Sequence, residues 1–404
     1  MDSRQLARHY SRFSVTKRVL LTGHSHQAWP DLAFEAQAQA WLDAAELVDH
    51  KWDRAFAVAD EVRAGYRRLL DDPDGHIALG QNTHELVLRF LSALPLRKRP
   101  RLVTTDGEFH SIRRQLDRLA AEGVEIVRIP VDGRASIAAR VIEAVDHHTS
   151  AVLISSVLFR DARIVEDLDR VAAACERVGA ELLVDAYHSL NAVPFSVVDM
   201  RLENAFVTGG GYKYCQMGEG NCFLRFPTRC SLQPVITGWF AEFGTLAEAP
   251  RGSEVIYGGG HLRFAGSTYD PVSHYRAAAV FGFFDRQRLS TERLREVGLR
   301  QIRRLAAGVD ELDSDPSLLS RDRSMPLSSR GGFLTLLSPR AGELCRALRE
   351  QGVHTDFRGS TLRLGPAPYV TDEQLDDAVA VLGECLKGIR CDPAPGKRRA
   401  AAAR

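Results

Sequence analysis

The sequence predicts an α/β protein: a mostly parallel, seven-stranded sheet flanked by helices, with a smaller C-terminal α+β domain. Three observations lead there. Between Ile77 and Phe226, seven short apolar runs alternate with segments of helical period, as expected for buried strands joined by helical crossovers. Beyond about residue 280 the pattern changes to separate strand–helix pairs. The chain has 404 residues, 45% hydrophobic and 26% charged, which is material for one large domain and a smaller one.

Along the chain, residues 1–45 read as an N-terminal arm packing with the small domain and 46–279 as the large domain. Residues 280–390 read as the small domain, and 391–404, rich in Pro, basic residues and Ala, as a disordered tail. The apolar runs are "IALG", "RLVTTD", "EIVRIPV", "AVLISSVLF", "ELLVDAYH", "NAFVTGG" and "CFLRF". Arg163–Val178 is the clearest helix, with Ile164, Leu168, Val171, Cys175 and Val178 on one face and Gly179 just past the end. Right-handed crossovers line the strand C-termini along one edge, where ligands collect. In the small domain, "FLTLLSPRAGELCRALREQG" gives a strand and a helix capped by Ser338 and closed by Gly352. "STLRLGPAPY" is a further strand. "TDEQLDDAVAVLGECL" opens on a capping box, with Leu375, Val379, Leu382 and Leu386 on one stripe.

Composition excludes several classes of function. A net charge of +1 offers no field for nucleic acid or an anionic membrane. No apolar run reaches the roughly 18 residues of a membrane span, and the first residues lack the apolar core of a secretory signal. The seven cysteines are odd in number and form no CxxC pair. They read as reduced thiols, so the expected compartment is the cytoplasm.

The stretch "TGGGYKYCQMGEGNCFLRF", Thr208–Phe226, sets Lys213 among glycines at the end of a buried strand. A lysine there is costly unless its charge is used or its pKa lowered, and the glycines allow close approach to the backbone. Tyr214 follows the lysine where a P-loop needs Ser or Thr, and no GxGxxG follows the first strand. The remaining use is covalent: a desolvated amine forms Schiff bases, most often with pyridoxal 5'-phosphate. That cofactor needs a carboxylate at its ring nitrogen. Asp185 ends "ELLVDAYH" on the same sheet edge, and His188 could reach the phenolic oxygen.

Together, "LLVDAYHSLNAVPFSVVDM", "NAFVTGGGYKYCQMGEGNCFLRF", "TGWF", "FAGST" and "LRLGPAPY" resemble, in order and spacing, the aminotransferase class V group of fold-type I pyridoxal phosphate enzymes. Within that group the chain most resembles kynureninase, from about Leu20 to about Leu386. The resemblance implies that Lys213 is the Schiff-base lysine and Asp185 the partner of the pyridinium nitrogen. It implies that Tyr212 touches the phosphate and can shuttle protons, and that Phe109 in "DGEFHS" stacks on the ring. Thr83 and His84 would open the phosphate-binding helix. Trp239 and Thr268 would reach the phosphate from a neighbouring subunit, which implies a homodimer. Arg363 would grip the α-carboxylate of an amino acid substrate. "GHSHQ" stands where the family has "GNSLG", so His24, Ser25 and His26 are expected at the substrate pocket.

The chain also departs from the family. Ile112 replaces an aspartate, "PAPYV" replaces "PLYN", and Gln81, Asn82 and His84 stand where small hydroxyl residues are usual. The expected activity is hydrolytic Cβ–Cγ cleavage of kynurenine or a related γ-keto amino acid. An aminotransferase or C–S lyase of the same fold, or a cofactor-binding regulatory protein, are the alternatives. Each residue also has a plainer use: Lys213 as a surface cation, Asp185 or Thr83 as a cap, His188 in the core. Phe109 and Trp239 could be buried aromatics and Arg363 a strand-edge arginine. On an extended segment His24 and His26 share a face, but as metal ligands they lack a third.

Overall fold

The computed structural model describes residues 1–132, 136–245 and 255–391, so the expected tail lies, beyond its first residue, outside the described residues. The large sheet comprises β1 (His76–Gly80), β2 (Arg101–Thr105), β3 (Glu125–Ile129), β4 (Thr149–Ser155), β5 (Glu181–Asp185), β6 (Phe206–Gly209) and β7 (Cys222–Phe226). Their spatial order is β1-β7-β6-β5-β4-β2-β3. β7 runs antiparallel to both neighbours and every other pair is parallel.

The central strands are covered on both faces, which is why they read as apolar runs, while edge strand β3 leaves Glu125 and Arg128 exposed. Val103, Val152, Val184 and Val207 face one core, while Leu102, Ala151, Leu183 and Phe206 face the other. The helices of eight or more residues are α1 (Leu32–Leu47), α2 (Lys51–Leu69), α3 (Thr83–Ala93), α4 (His110–Ala121), α5 (Ile137–Ala144) and α6 (Leu168–Val178), then α7 (Val272–Gln287), α8 (Thr291–Glu311), α9 (Ala341–Glu350) and α10 (Asp372–Cys391). α3 and α4 cover the second core through Leu86, Phe90, Ile112 and Leu116.

Two boundaries differ from expectation. α6 starts at Leu168, not Arg163. Residues 163–165 bond outward instead: Ile164 N–H donates to the Ser329 carbonyl at 3.0 Å and Val165 N–H to that of Ser156 at 2.9 Å. Asp167, at φ +60°, then turns the chain into the helix. α9 starts at Ala341 with Arg340 at the cap position, and the Ser338 hydroxyl accepts the Arg340 N–H at 3.1 Å.

The C-terminal sheet is antiparallel, with β8 (Leu334–Leu337), β9 (Asp356–Arg358) and β10 (Thr361–Leu364) in the order β9-β10-β8. Before α10, Thr371 N–H donates to Gln374 Oε1 at 3.0 Å and Gln374 N–H to Thr371 Oγ at 3.3 Å, a reciprocal cap. Near the N-terminus, Val19–Leu20 pairs in parallel with Val353–His354, and Thr22 bridges to Gly365. α1 lies on α7, and α7 runs through position 279, where the sequence suggested a domain boundary.

Candidate active site

The C-terminal ends of β1, β5 and β6 and the start of β7 meet around a cavity of about 360 Å³. Lining it are Thr83, His84, Phe109, Asp185, His188, Tyr212 and Lys213. The structure thus brings together seven of the residues singled out from the sequence.

Local sequence explains each placement. β5 is buried up to its last residue, Asp185, whose Oδ1 accepts the Tyr187 N–H at 2.9 Å. Beyond β6 the chain must pass tightly against its neighbours. A Cβ on Gly210 would lie 2.5 Å from Cys222 Sγ and from the Tyr187 hydroxyl, and one on Gly211 2.2 Å from Asn221 Oδ1. The glycines beside Lys213 therefore serve close packing. β1 feeds directly into α3, whose N-terminus is capped by Asn82 Oδ1 accepting the Glu85 N–H at 3.0 Å.

Lys213 is 5% exposed, and its amine makes no hydrogen bond or ion pair among the described residues. Three aromatic rings surround it: Nζ lies 4.8 Å from the Tyr212 centroid, 5.3 Å from Tyr187 and 5.5 Å from Phe109. Burial, followed by the charge of Arg363, lowers its pKa to about 7. Burial raises Asp185 to about 6, against the Tyr187 N–H and the Lys213 charge, which lower it. Burial also lifts the Tyr212 hydroxyl to about 12 and holds His188 well below the usual histidine range, so its imidazole is neutral. A buried amine without a partner, in one cavity with a buried carboxylate and the opening of a helix, fits a group carrying an aldehyde, a basic ring nitrogen and a phosphate.

Other residues lie elsewhere. Arg363 is buried on β10, where its Nε donates to Asp356 Oδ1 at 2.7 Å, its Nη2 to Asp356 Oδ2 and its Nη1 to the Phe159 carbonyl at 2.7 Å. Asp356 thus already occupies one edge of the fork. Trp239 is half-exposed against Phe240 and Phe243, outside the cavity. Thr268 lines a second cavity that shares Gln81 with the first.

The "GHSHQ" segment is a turn, because the Thr22 carbonyl accepts both the Ser25 and the His26 N–H at 2.8 Å. His24 and His26 therefore do not share a face. His24 is fully buried with Nε2 2.8 Å from Asp356 Oδ1, whereas His26 is exposed and stacks on Tyr212 at 4.9 Å. Ser25 Oγ donates back to the Thr22 carbonyl at 3.0 Å.

Sequence reasoning missed Tyr187, Cys222, Glu219 and Asp356. Tyr187 lay inside the quoted "ELLVDAYH". Asp356 meets Arg363 only through a β-hairpin register, for which one sequence carries no signal.

Among known proteins, the sequence model of the family described as "Kynureninase C-terminal domain" matches residues 305–382. Kynureninase of Bacillus thuringiensis subsp. konkukian (strain 97-27) is 24% identical over 334 residues, covering 78% of this chain and 74% of that protein. A protein of Bacillus subtilis (strain 168) described as "Uncharacterized aminotransferase YcbU" is 22% identical, covering 84% and 87%. Among solved structures, a C-DES mutant with glycine covalently linked to its pyridoxal phosphate cofactor superposes with a TM-score of 0.81 at 15% identity, covering 94% of this chain and 99% of that one. The apo cysteine desulfurase of Thermococcus onnurineus NA1 gives 0.78 at 17%, covering 95% and 98%. At these identities the superpositions show the shared fold.

Proposed function

We propose that the chain is a kynureninase-like member of the class V aminotransferase group of fold-type I pyridoxal phosphate enzymes, and that it binds pyridoxal 5'-phosphate and hydrolyses the Cβ–Cγ bond of kynurenine or a related γ-keto amino acid; its similarity to kynureninases supports this reading. The observation that carries this reading is the cavity joining Lys213, Asp185, His188, Phe109 and Tyr212 to the start of α3.

Lys213 would hold the cofactor through its amine, and Asp185 would keep a proton on the ring nitrogen. Phe109 would cover a ring face, His188 would approach the phenolic oxygen, and Thr83 and His84 would take the phosphate at the helix N-terminus. When bound, the cofactor supplies an electron sink for bonds broken at the substrate's α-carbon. With a pKa of about 7, Lys213 Nζ can take and return a proton at that carbon near neutral pH. Tyr212, still protonated there, can donate from its hydroxyl. Arg363 would hold the α-carboxylate on the N–H groups that Asp356 leaves free. Water added at the γ-carbonyl then leaves an aromatic acid and alanine.

Cleavage of a C–S bond with sulfur transfer to a protein thiol is the weaker reading. Cys222 lines the cavity, but burial raises its pKa and it lies in strand β7 between Thr83 and Tyr187. A homodimer is supported by apolar surface. On α1, Phe34, Trp41 and Leu42 share an exposed face, Trp41 at 77%, and Trp239 and Phe243 form a second exposed group. No helix among the described residues is long and apolar enough to cross a membrane.

Protein supplied with pyridoxal phosphate should gain an absorbance band near the visible edge, and Lys213→Ala should lose it. Kynurenine or 3-hydroxykynurenine should then yield alanine beside the anthranilate. A keto acid in place of alanine favours the aminotransferase. If neither substrate is consumed, the substrate assignment fails and the cofactor assignment stands.

A further inference from the structure

Directly before Phe109 in the chain, and behind the cavity, sits a second buried carboxylate that the reaction above does not use. Glu108 is 1% exposed. Its Oε1 accepts the Thr105 hydroxyl at 2.6 Å and the Ser155 N–H at 3.2 Å, and its Oε2 accepts the Ser155 hydroxyl at 2.5 Å. Thr105 is the last residue of β2 and Ser155 the last of β4, so this side chain ties the ends of two neighbouring strands together. Ser155 is in turn register partner to Asp185 on β5. Asp185 lines the cavity, while Glu108, in the loop after β2, does not and is bonded to the neighbouring strand ends.

We propose that Glu108 is a positioning residue for Asp185: it holds the one proton that the two buried carboxylates share, so that Asp185 stays ionised toward the cavity. Only the consequence for a bound ring nitrogen rests on the cofactor reading; the proton's location is a property of the chain itself.

A negative charge on Asp185 opposes ionisation of Glu108, so of the two buried carboxylates Glu108 keeps its proton to the higher pH. The surroundings set this order. Asp185 faces the charge of Lys213 across the cavity and accepts the Tyr187 N–H, and both stabilise its ionised form. The charged group facing Glu108 is Asp185 on β5, which opposes ionisation; from β2 and β4 it meets the neutral groups of Thr105 and Ser155. Burial first, with Asp185 adding to it against the Ser155 and Thr105 hydrogen bonds, puts Glu108 at about 7 and above Asp185 at about 6. Both hydroxyls can accept as well as donate, so a protonated Glu108 keeps its partners.

The test is the pH dependence of urea unfolding of the cofactor-free protein, wild type against Glu108→Gln, between pH 5 and 8. Gln keeps the hydrogen-bonding shape of a protonated Glu. In the wild type, the folded state holds a proton that the unfolded chain releases from about pH 4.5 upward. Stability is therefore lost as pH rises toward the folded value of about 7. From pH 5 to 8 the folded-to-unfolded ratio of the wild type should fall by a further ~10–100-fold relative to Glu108→Gln. A second readout uses protein loaded with pyridoxal phosphate. Glu108→Gln should keep the absorbance band with its pH midpoint moved by less than about 0.5 unit, while Glu108→Ala, which unties β2 from β4, should lose stability at every pH. Parallel stability curves for wild type and Glu108→Gln would overturn the proposal, as would loss of the fold in Glu108→Gln together with an unchanged pH slope in Glu108→Asp. Absence of any band in the loaded wild type would count against the cofactor reading alone.

Discussion

Replacing Lys213 with methionine should make the cofactor-free protein more stable, by an amount that depends on pH in a defined way. The amine is 5% exposed, unpaired among the described residues, and lowered from 10.5 to about 7, chiefly by burial. Between pH 7 and 10.5 the unfolded chain holds a proton that the folded chain has released, so stability rises with pH across that window. At pH 7 the lysine costs the fold about 4 kcal/mol, and at pH 10 less than about 1 kcal/mol. Methionine fills a similar volume with no charge and retains contact with the three surrounding rings. Urea unfolding at both pH values would give the two differences directly. The variant should gain about 4 kcal/mol at pH 7 and almost nothing at pH 10. Equal gains at both, or none at pH 7, would show that Lys213 keeps an ordinary pKa, and the argument for its covalent use would lose its electrostatic basis.

Three further outcomes are expected. Asp356→Asn removes the charge that pairs with Arg363 and contacts His24; with Arg363 holding the α-carboxylate as proposed, steady-state kinetics should show at least a roughly tenfold change in KM for the amino acid, larger than the change in kcat. Asp72→Ala strands the guanidinium of Arg225, which donates to Asp72 at 2.6 Å with both side chains almost fully buried; chemical denaturation should show a loss of about 3–5 kcal/mol. Trp41→Glu puts a charge on the exposed face of α1; if the proposed homodimer forms through that face, light scattering should report a shift toward monomer, with the near-visible absorbance band weakened where the subunits share sites.

What could be seen in the sequence follows from how local the cause is. The central strands were visible because burial on both faces leaves no polar alternation, and β4 is buried at every residue, whereas edge strand β3 keeps Glu125 and Arg128 exposed. The reciprocal cap of Thr371 and Gln374 spans three residues and needs only local geometry. Lys213 and Asp185 could be paired because a parallel sheet sends the ends of β5 and β6 to one edge. The N-terminal turn was not visible. His24 and His26 alternate like residues of a strand, yet the Thr22 carbonyl closes a turn and sends one ring inward and the other out. The start of α6 was misread because Ile164 fits the helical stripe by spacing alone, while its N–H is bound to Ser329, more than a hundred residues away in sequence. Asp356 meets Arg363, only seven residues on, because a hairpin register sets them opposite each other, and Glu108 reaches Ser155 on a strand 47 residues away.

The charges around Lys213 also suggest how such a site could respond to its substrate. The Arg363 guanidinium is the largest charge holding the lysine's pKa down, with Arg358 adding to it, while Asp185 and Asp356 push the other way. Asp356 already offsets one edge of Arg363 through a paired fork. If an incoming α-carboxylate takes the remaining N–H groups, it places a further negative charge beside the same cation. The part of the depression that Arg363 adds to burial then weakens, and the amine's proton affinity rises as the substrate arrives. The amine would be neutral when it must hold an aldehyde and more basic once it must take a proton from carbon. In the proposed reaction the same cation would serve both binding and proton transfer, which is a physical reason for burying Arg363 on a strand of the second sheet.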